Sequence, residues 1–222
     1  MVGGTRPRSG QRWRHTSTSP LHLVFRSPNW FGREGITAAA GRTVVFDDAD
    51  HRAIDDVEVD GRLVRGAVGG VDAFSGESRD QARRTLRERN LSEPTADEWY
   101  PLPAYLDALA EIEAAADDLV LGDLGERAAH SLQIRAPDPA AALSALDDAY
   151  CQRHRGDVGG FAFRQIGDAD GRMESHTPYP CAFDRGLAVG VVAAATDCVA
   201  RVREVGVCRA DGSPRCTYDV TW

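Results

Sequence analysis

The chain has 222 residues, 42% of them hydrophobic, and a formal net charge of −8, which suits one domain with a sizeable core and is short for two ordinary ones. All 26 basic residues are arginine, and the acidic excess fits a protein kept soluble in a salt-adapted cytoplasm. No apolar run approaches the roughly 20 residues that span a bilayer, so no membrane partner is expected.

Residues 1–42 carry seven arginines against the single acid Glu34, with Trp13 and Trp30 isolated among Ser, Thr, Pro and Gly. No apolar period runs through them. They are expected to be a disordered basic arm, or to reflect a mis-set translation start. Residues 43–222 hold 33 acids against 19 arginines, a net of −14, which would repel phosphate and excludes nucleic acid as an expected partner of the body. Residues 43–67 alternate in polarity and contain Asp60-Gly61, which predicts a β-hairpin extension ahead of a domain over 68–222.

The chain then turns helical. FSGESRDQARRTLRERN opens a helix near Ser75 or Ser78, and LPAYLDALAEIEAAADDL places Leu102, Tyr105, Leu106, Leu109 and Ile112 on one stripe. AALSALDDAYCQRH repeats the pattern with Leu143, Leu146 and Tyr150, and Asp138-Pro139 reads as its N-cap and first turn. After His154 the period becomes that of strands, GGFAFRQIG and GRMESHTP, which flank a turn at Asp168-Ala169-Asp170-Gly171. One more helix runs from Phe183 to about Ala195. Its small residues, Gly186, Gly190 and Ala193 to Ala195, suit close packing on a sheet or leave room for a ligand.

In the terminal CTYDVTW, Cys216, Tyr218, Val220 and Trp222 share one face while Thr217, Asp219 and Thr221 share the other, the period of a half-buried strand. CVARVREVGVC alternates before it, so the end of the chain reads as a β-hairpin whose loop holds Asp211, Gly212 and Pro214. Helices first and a meander afterwards predict an α+β fold, with helices packed on one antiparallel sheet.

Four of the five cysteines lie from residue 181 onward, and three of them, Cys181, Cys208 and Cys216, are the candidates for a shared site. Thiolates brought together by a short Gly/Pro loop are the usual ligands of zinc in a reduced compartment. Small buried hydrophobes would fit the same spacing, and so would a Cys208–Cys216 disulfide, which the odd cysteine count disfavours.

The segments HTPYPCAFDRGLAVGV, REVGVC and RCTYDVTW resemble the C-terminal half of the 4-vinyl reductase type small-molecule-binding domain, the sensor module of phenol-responsive transcription activators. That family shares a superfamily with haem nitric-oxide-binding sensors and with the transport-particle subunits of Golgi trafficking. WYPLPAYLDAL and AYCQRHRGDVGGF extend the resemblance over roughly residues 70 to 222, where it is similar to a group of stand-alone proteins of the superfamily.

In the phenol sensors three cysteines and a glutamate hold zinc, and the pattern falls here on Cys181, Glu204, Cys208 and Cys216. Glu204 stands four residues before Cys208 where the family pattern has three, about 13 Å apart on a straight strand. Gly206 must therefore bulge or turn the chain. Otherwise the fourth ligand would be water, Asp211, His176 or Cys198.

The resemblance also implies an apolar cavity between sheet and helices. Trp99, Tyr100, Tyr105, Tyr150, Phe161 and Phe163 are candidate lining, and His154 with Arg155 could orient a polar group of the ligand. Each also reads as ordinary core, ion pair or helix cap.

The leading expectation is a stand-alone, non-catalytic sensory or regulatory domain. It would bind a small apolar or aromatic ligand, carry structural zinc, and act as a homodimer or through a regulatory protein partner. A dimeric scaffold of the same superfamily competes with it, as does a thiol enzyme using Cys151 and His154, which lacks a third orienting group and an oxyanion site. Haem is not expected. His130 could ligate iron, but the Tyr, Ser and Arg motif that grips haem propionates in the nitric-oxide sensors has no counterpart.

Overall fold

The computed structural model describes residues 36–37, 43–44, 54–74, 76–115 and 118–222. Apart from the pairing of β1 (Ile36–Thr37) with β2 (Thr43–Val44), the expected arm over 1–42 and the stretch 43–53 lie outside the described residues.

Asp60-Gly61 does not turn a hairpin. Strand β3 (Glu58–Asp60) ends there, and the Asp60 carboxylate accepts the backbone N–H of Arg62 at 2.7 Å, capping helix α1 (Gly61–Val68). An aspartate before glycine serves a helix start as well as a tight turn, and long-range pairing decides between them. Here β3 is the middle strand of a three-stranded antiparallel sheet, between β4 (Trp99–Pro101) and β5 (His154–Arg155). Val57, Val59, Leu63 and Val64 are buried, so the domain begins well before residue 68.

The helical layer continues with α2 (Gly76–Glu88), α3 (Leu102–Ala115), α4 (Asp118–Ala129), α5 (Pro139–Ser144) and α6 (Leu146–Cys151). On α3 the stripe of Leu102, Tyr105, Leu109 and Ile112 is buried, as the 3.6-residue period predicts, and Leu106 is half-buried at its margin. Asp138 caps α5 by accepting the N–H of Ala141 at 2.8 Å, with Pro139 in the first turn.

Strands β6 (Gly160–Gly167) and β7 (Asp170–His176) form a hairpin, helix α7 (Cys181–Ala195) follows, and β8 (Arg201–Glu204) and β9 (Cys216–Thr221) close the chain. The four strands lie antiparallel in the order β6-β7-β9-β8. The C-terminal hairpin is present, with Arg201 opposite Thr221 and Glu204 opposite Tyr218. Cys216, Tyr218 and Val220 point into the core, as the alternation requires. The fold is α+β, with helices packed on antiparallel sheet.

The small residues of α7 serve a purpose other than packing on the sheet or leaving room for a ligand. A Cβ at Gly186 would lie 1.9 Å from the carbonyl oxygen of Gly122, and one at Gly190 would lie 2.3 Å from that of Glu126. From the other side, a Cβ at Gly125 would meet the carbonyl oxygen of Phe183 at 2.1 Å. The glycines let α4 and α7 approach backbone to backbone. No helix among the described residues is long and apolar enough to cross a membrane.

Candidate metal centre and adjoining cleft

Three separate segments deliver the ligands. Cys181 opens α7 after the Thr177-Pro178-Tyr179-Pro180 loop, Glu204 ends β8, and Cys208 and Cys216 bracket a loop that turns at Gly212 (φ +81°). The bend expected at Gly206 is present, with φ +78°. Val205 donates its N–H to the Thr217 carbonyl at 2.8 Å, while the Thr217 N–H returns to the Val207 carbonyl at 3.3 Å, so the ladder steps over Gly206 as in a bulge.

The sulfurs of Cys181 and Cys216 are 3.1 Å apart, those of Cys181 and Cys208 3.5 Å, and those of Cys208 and Cys216 3.7 Å. Glu204 Oε2 lies 3.1 Å from the Cys208 sulfur, and all four ligand atoms fall within 4.8 Å of one another. Tetrahedral zinc with Zn–S bonds of about 2.3 Å separates its sulfurs by about 3.7 Å, so the cluster is close to that spacing. All five cysteines are free thiols, which removes the disulfide reading. Asp211, His176 and Cys198 are not in the cluster.

Protons distribute unevenly over these thiols. Cys216 is drawn down to about 6 by the hydrogen bond from Cys181, and the backbone N–H and guanidinium of Arg209 add to this. Cys181, which gives that hydrogen bond, is pushed well above the ordinary thiol range. Burial and the bond to Glu204 raise Cys208. A dication bound here would displace the remaining protons and turn the crowding into coordination.

Arg209 braces the site, and no sequence pattern marked it. Its guanidinium donates to the Ser175 carbonyl (3.0 Å) and hydroxyl (2.8 Å), to the Tyr179 carbonyl (2.7 Å) and to Asp184 Oδ2 (2.6 Å). Asp184 is fully buried and also accepts hydrogen bonds from the hydroxyls of Ser175 and Thr177. One fork thus joins the Cys208 turn, β7, the proline loop and α7. The only trace in the sequence is an arginine beside one cysteine and an aspartate three residues after another.

Beside the cluster opens a cleft of about 700 Å³, walled by Leu106 and Ala110 of α3, by Tyr179 and Cys181, and by Arg209 and Pro214. None of the expected ligand residues lines it. Tyr105, Tyr150 and Phe161 are buried in a cluster of aromatic rings with Tyr179 and Phe183. Trp99 and Arg155 stack on one another at 4.0 Å, with Arg155 also 3.3 Å from Glu58. Phe163 packs near Trp222, and the Tyr100 hydroxyl bonds Glu98 and the N–H of Thr95.

His154 is buried and locked. Nδ1 meets the Tyr150 carbonyl at 2.8 Å, which makes Nδ1 the protonated nitrogen, and Nε2 accepts from the Tyr179 hydroxyl at 2.7 Å. With both nitrogens engaged, it forms no pair with Cys151, whose sulfur lies 4.0 Å from Asp147 Oδ1 and from the Gly159 carbonyl.

No family model matches the chain, and no curated protein matches it. Solved structures do. The chain shares its fold with the H-NOX domains. An H-NOX protein from S. oneidensis in the Fe(II)NO state superposes with a TM-score of 0.56 at 12% identity, covering 72% of this chain and 97% of that one. The unliganded Fe(II) H-NOX protein from K. algicida gives 0.54 at 13%, covering 73% and 95%. An oxygen-binding H-NOX domain related to soluble guanylate cyclases gives 0.54 at 14%, covering 72% and 93%.

The shared fold is the one that the sequence resemblance implied. The neighbours lend no support to the expectation against haem, since one of the matched structures concerns the function of haem distortion in the H-NOX family. Of the described histidines, His154 has both ring nitrogens engaged, His130 is on the surface, and His176 lines the cleft.

Proposed function

We propose that the chain is a small-molecule-binding sensory or regulatory domain whose C-terminal hairpin is fastened by a structural zinc ion on Cys181, Glu204, Cys208 and Cys216. The convergence of these four side chains from three segments, within 4.8 Å, carries the reading. Three thiolates and a carboxylate complete a tetrahedral set and leave no position for an activated water, so the ion supplies cross-linking. The H-NOX fold supports the sensory half of the proposal, and the 700 Å³ cleft is the space in which a ligand would first be met.

As a sensory domain it binds its ligand rather than converting it. It acts in the cytoplasm, as a homodimer or through a protein partner. Metal analysis and an absorbance spectrum of the purified chain test this together. About one zinc per chain without a Soret band is expected, whereas a Soret band would replace the zinc-tethered reading of the ligand site by a haem one. Light scattering of the same sample reads the oligomeric state.

A further inference from the structure

We propose that the outer face of the C-terminal sheet docks a short acidic segment of a partner protein on a row of arginines, Arg164, Arg172 and Arg203, set around Asp219. This gives the protein partner of the reading above its chemistry, and rests on neither the zinc nor the cleft.

Alternation along β9 puts Cys216, Tyr218 and Val220 in the core and Thr217, Asp219 and Thr221 on the opposite face. The register carries that face across all four strands. Arg164 of β6 stands opposite Arg172 of β7, Arg172 opposite Asp219 of β9, and Asp219 opposite Arg203 of β8. Arg201 lies next to this row, opposite Thr221. The row spans three strand gaps of about 4.8 Å, a length of about 14 Å. Like charges directly opposite one another cost a sheet stability, so Arg164 beside Arg172 is the kind of local inconsistency that binding surfaces retain.

Asp219 holds these arginines in place without cancelling them. Its Oδ1 accepts from Arg172 Nε at 3.0 Å and Nη2 at 2.7 Å, and its Oδ2 from Arg203 Nη2 at 3.4 Å. One carboxylate thus serves two guanidiniums, and the Arg203 side chain is still 78% exposed. Guanidiniums oriented in this way bind further carboxylates through their remaining N–H donors. The setting sharpens the contrast, because residues 43–222 hold 33 acids against 19 arginines, a net of −14, and this face is a positive island on an acidic domain. That acidity repels a long polyanion such as a nucleic acid, whereas a segment of about four extended residues, at about 3.3 Å each, fits within the row. Ile166, 55% exposed near the end of β6, adds an apolar margin that suits a peptide.

Fluorescence anisotropy of a labelled, alternating Glu-Ser peptide with the full chain tests this. The variants are Arg164→Glu and Arg203→Glu, at the two ends of the row, and Arg84→Glu, an exposed arginine of α2 that controls for net charge. The wild-type chain should bind the Glu-Ser peptide and not a Gln-Ser peptide, and raising salt from about 20 to about 200 mM should weaken binding several-fold. Arg164→Glu and Arg203→Glu should each weaken it about tenfold or more, while Arg84→Glu should stay within about twofold of the wild type. Equal losses in all three variants would reduce the effect to net charge and overturn the docking surface. So would unchanged binding in Arg164→Glu or Arg203→Glu, or no binding by the wild type. A short DNA duplex bound more tightly than the peptide would overturn the choice of partner and assign the face to nucleic acid. Arg203 adjoins Glu204, so zinc content is read on each variant, and Arg164, on the far edge strand, repeats the test away from the metal. Zinc retained by a chain that fails to bind the peptide would sink the docking surface alone.

Discussion

Replacing Gly186 by alanine should destabilise the domain, and replacing Gly122, which faces it, should not. At Gly186 the new methyl would lie 1.9 Å from the Gly122 carbonyl oxygen and 2.9 Å from the Gly122 Cα, where ordinary contact begins near 3.4 Å. Relief therefore requires α7 to withdraw from α4 by about 1.5 Å, since both clashing atoms are backbone and cannot rotate away. Overpacking of this kind costs about 1–3 kcal/mol, here at the upper end, and the better helix propensity of alanine returns about 1 kcal/mol. The net of about 2 kcal/mol corresponds to a fall in melting temperature of roughly 4–8 °C for a chain of this size. A Cβ at Gly122 would touch only the Ala182 carbonyl oxygen, at 3.9 Å, so Gly122→Ala keeps the propensity gain and should melt about 2–4 °C higher. Thermal unfolding followed by far-UV circular dichroism reads both. If Gly186→Ala melts with the wild type, or Gly122→Ala falls with it, the close crossing of α4 and α7 is refuted.

Cys216→Ser should drop zinc to background and lower the melting temperature together, since binding and folding are linked at a structural site, while exposed Cys198→Ser should change neither. Arg209→Ala should lower stability by about 3–5 kcal/mol in chemical denaturation, because it strands the buried Asp184 carboxylate, and a loss under about 1 kcal/mol would show the fork to be ornamental. Burial lowers His154 from an ordinary value near 6.5 to about 4. Between those values the unfolded chain binds the proton that the folded chain refuses, so this histidine's contribution is complete above pH of about 6.5 and is lost as pH falls toward 4. Up to about 3 kcal/mol is at stake, and His154→Gln should flatten the dependence of stability on pH in that window; an unchanged slope would place the titration elsewhere.

Much of this architecture was legible in residue periods, and its failures have identifiable causes. Alternation in CTYDVTW marked Cys216, Tyr218 and Val220 as inward, and the stripe on α3 marked its buried face, because in both cases one face meets water and the other does not. The need for a bend at Gly206 followed from ligand reach once the resemblance had named Glu204 as a ligand, and the chain bends there. Asp60-Gly61 misled because the same dipeptide suits a turn or a helix cap, and its fate depends on pairing with Trp99–Pro101 and His154–Arg155, far away in sequence. Helix α4 went unmarked since Gly122 and Gly125 interrupt its pattern; Gly125 makes sense only beside the Phe183 carbonyl of α7, 2.1 Å from where its Cβ would lie. The Arg209–Asp184 fork and the unpaired Tyr105 hydroxyl have no periodic signature at all, being products of three-dimensional adjacency.

The central claim is the zinc centre, and the most direct measurement is metal content by inductively coupled plasma mass spectrometry on the chain and on Cys181→Ser, Cys208→Ser and Cys216→Ser after equal dialysis. About one zinc per wild-type chain, lost in each variant, is the predicted result. A wild-type chain without zinc, or variants that retain it, would contradict the account and leave these cysteines as core residues.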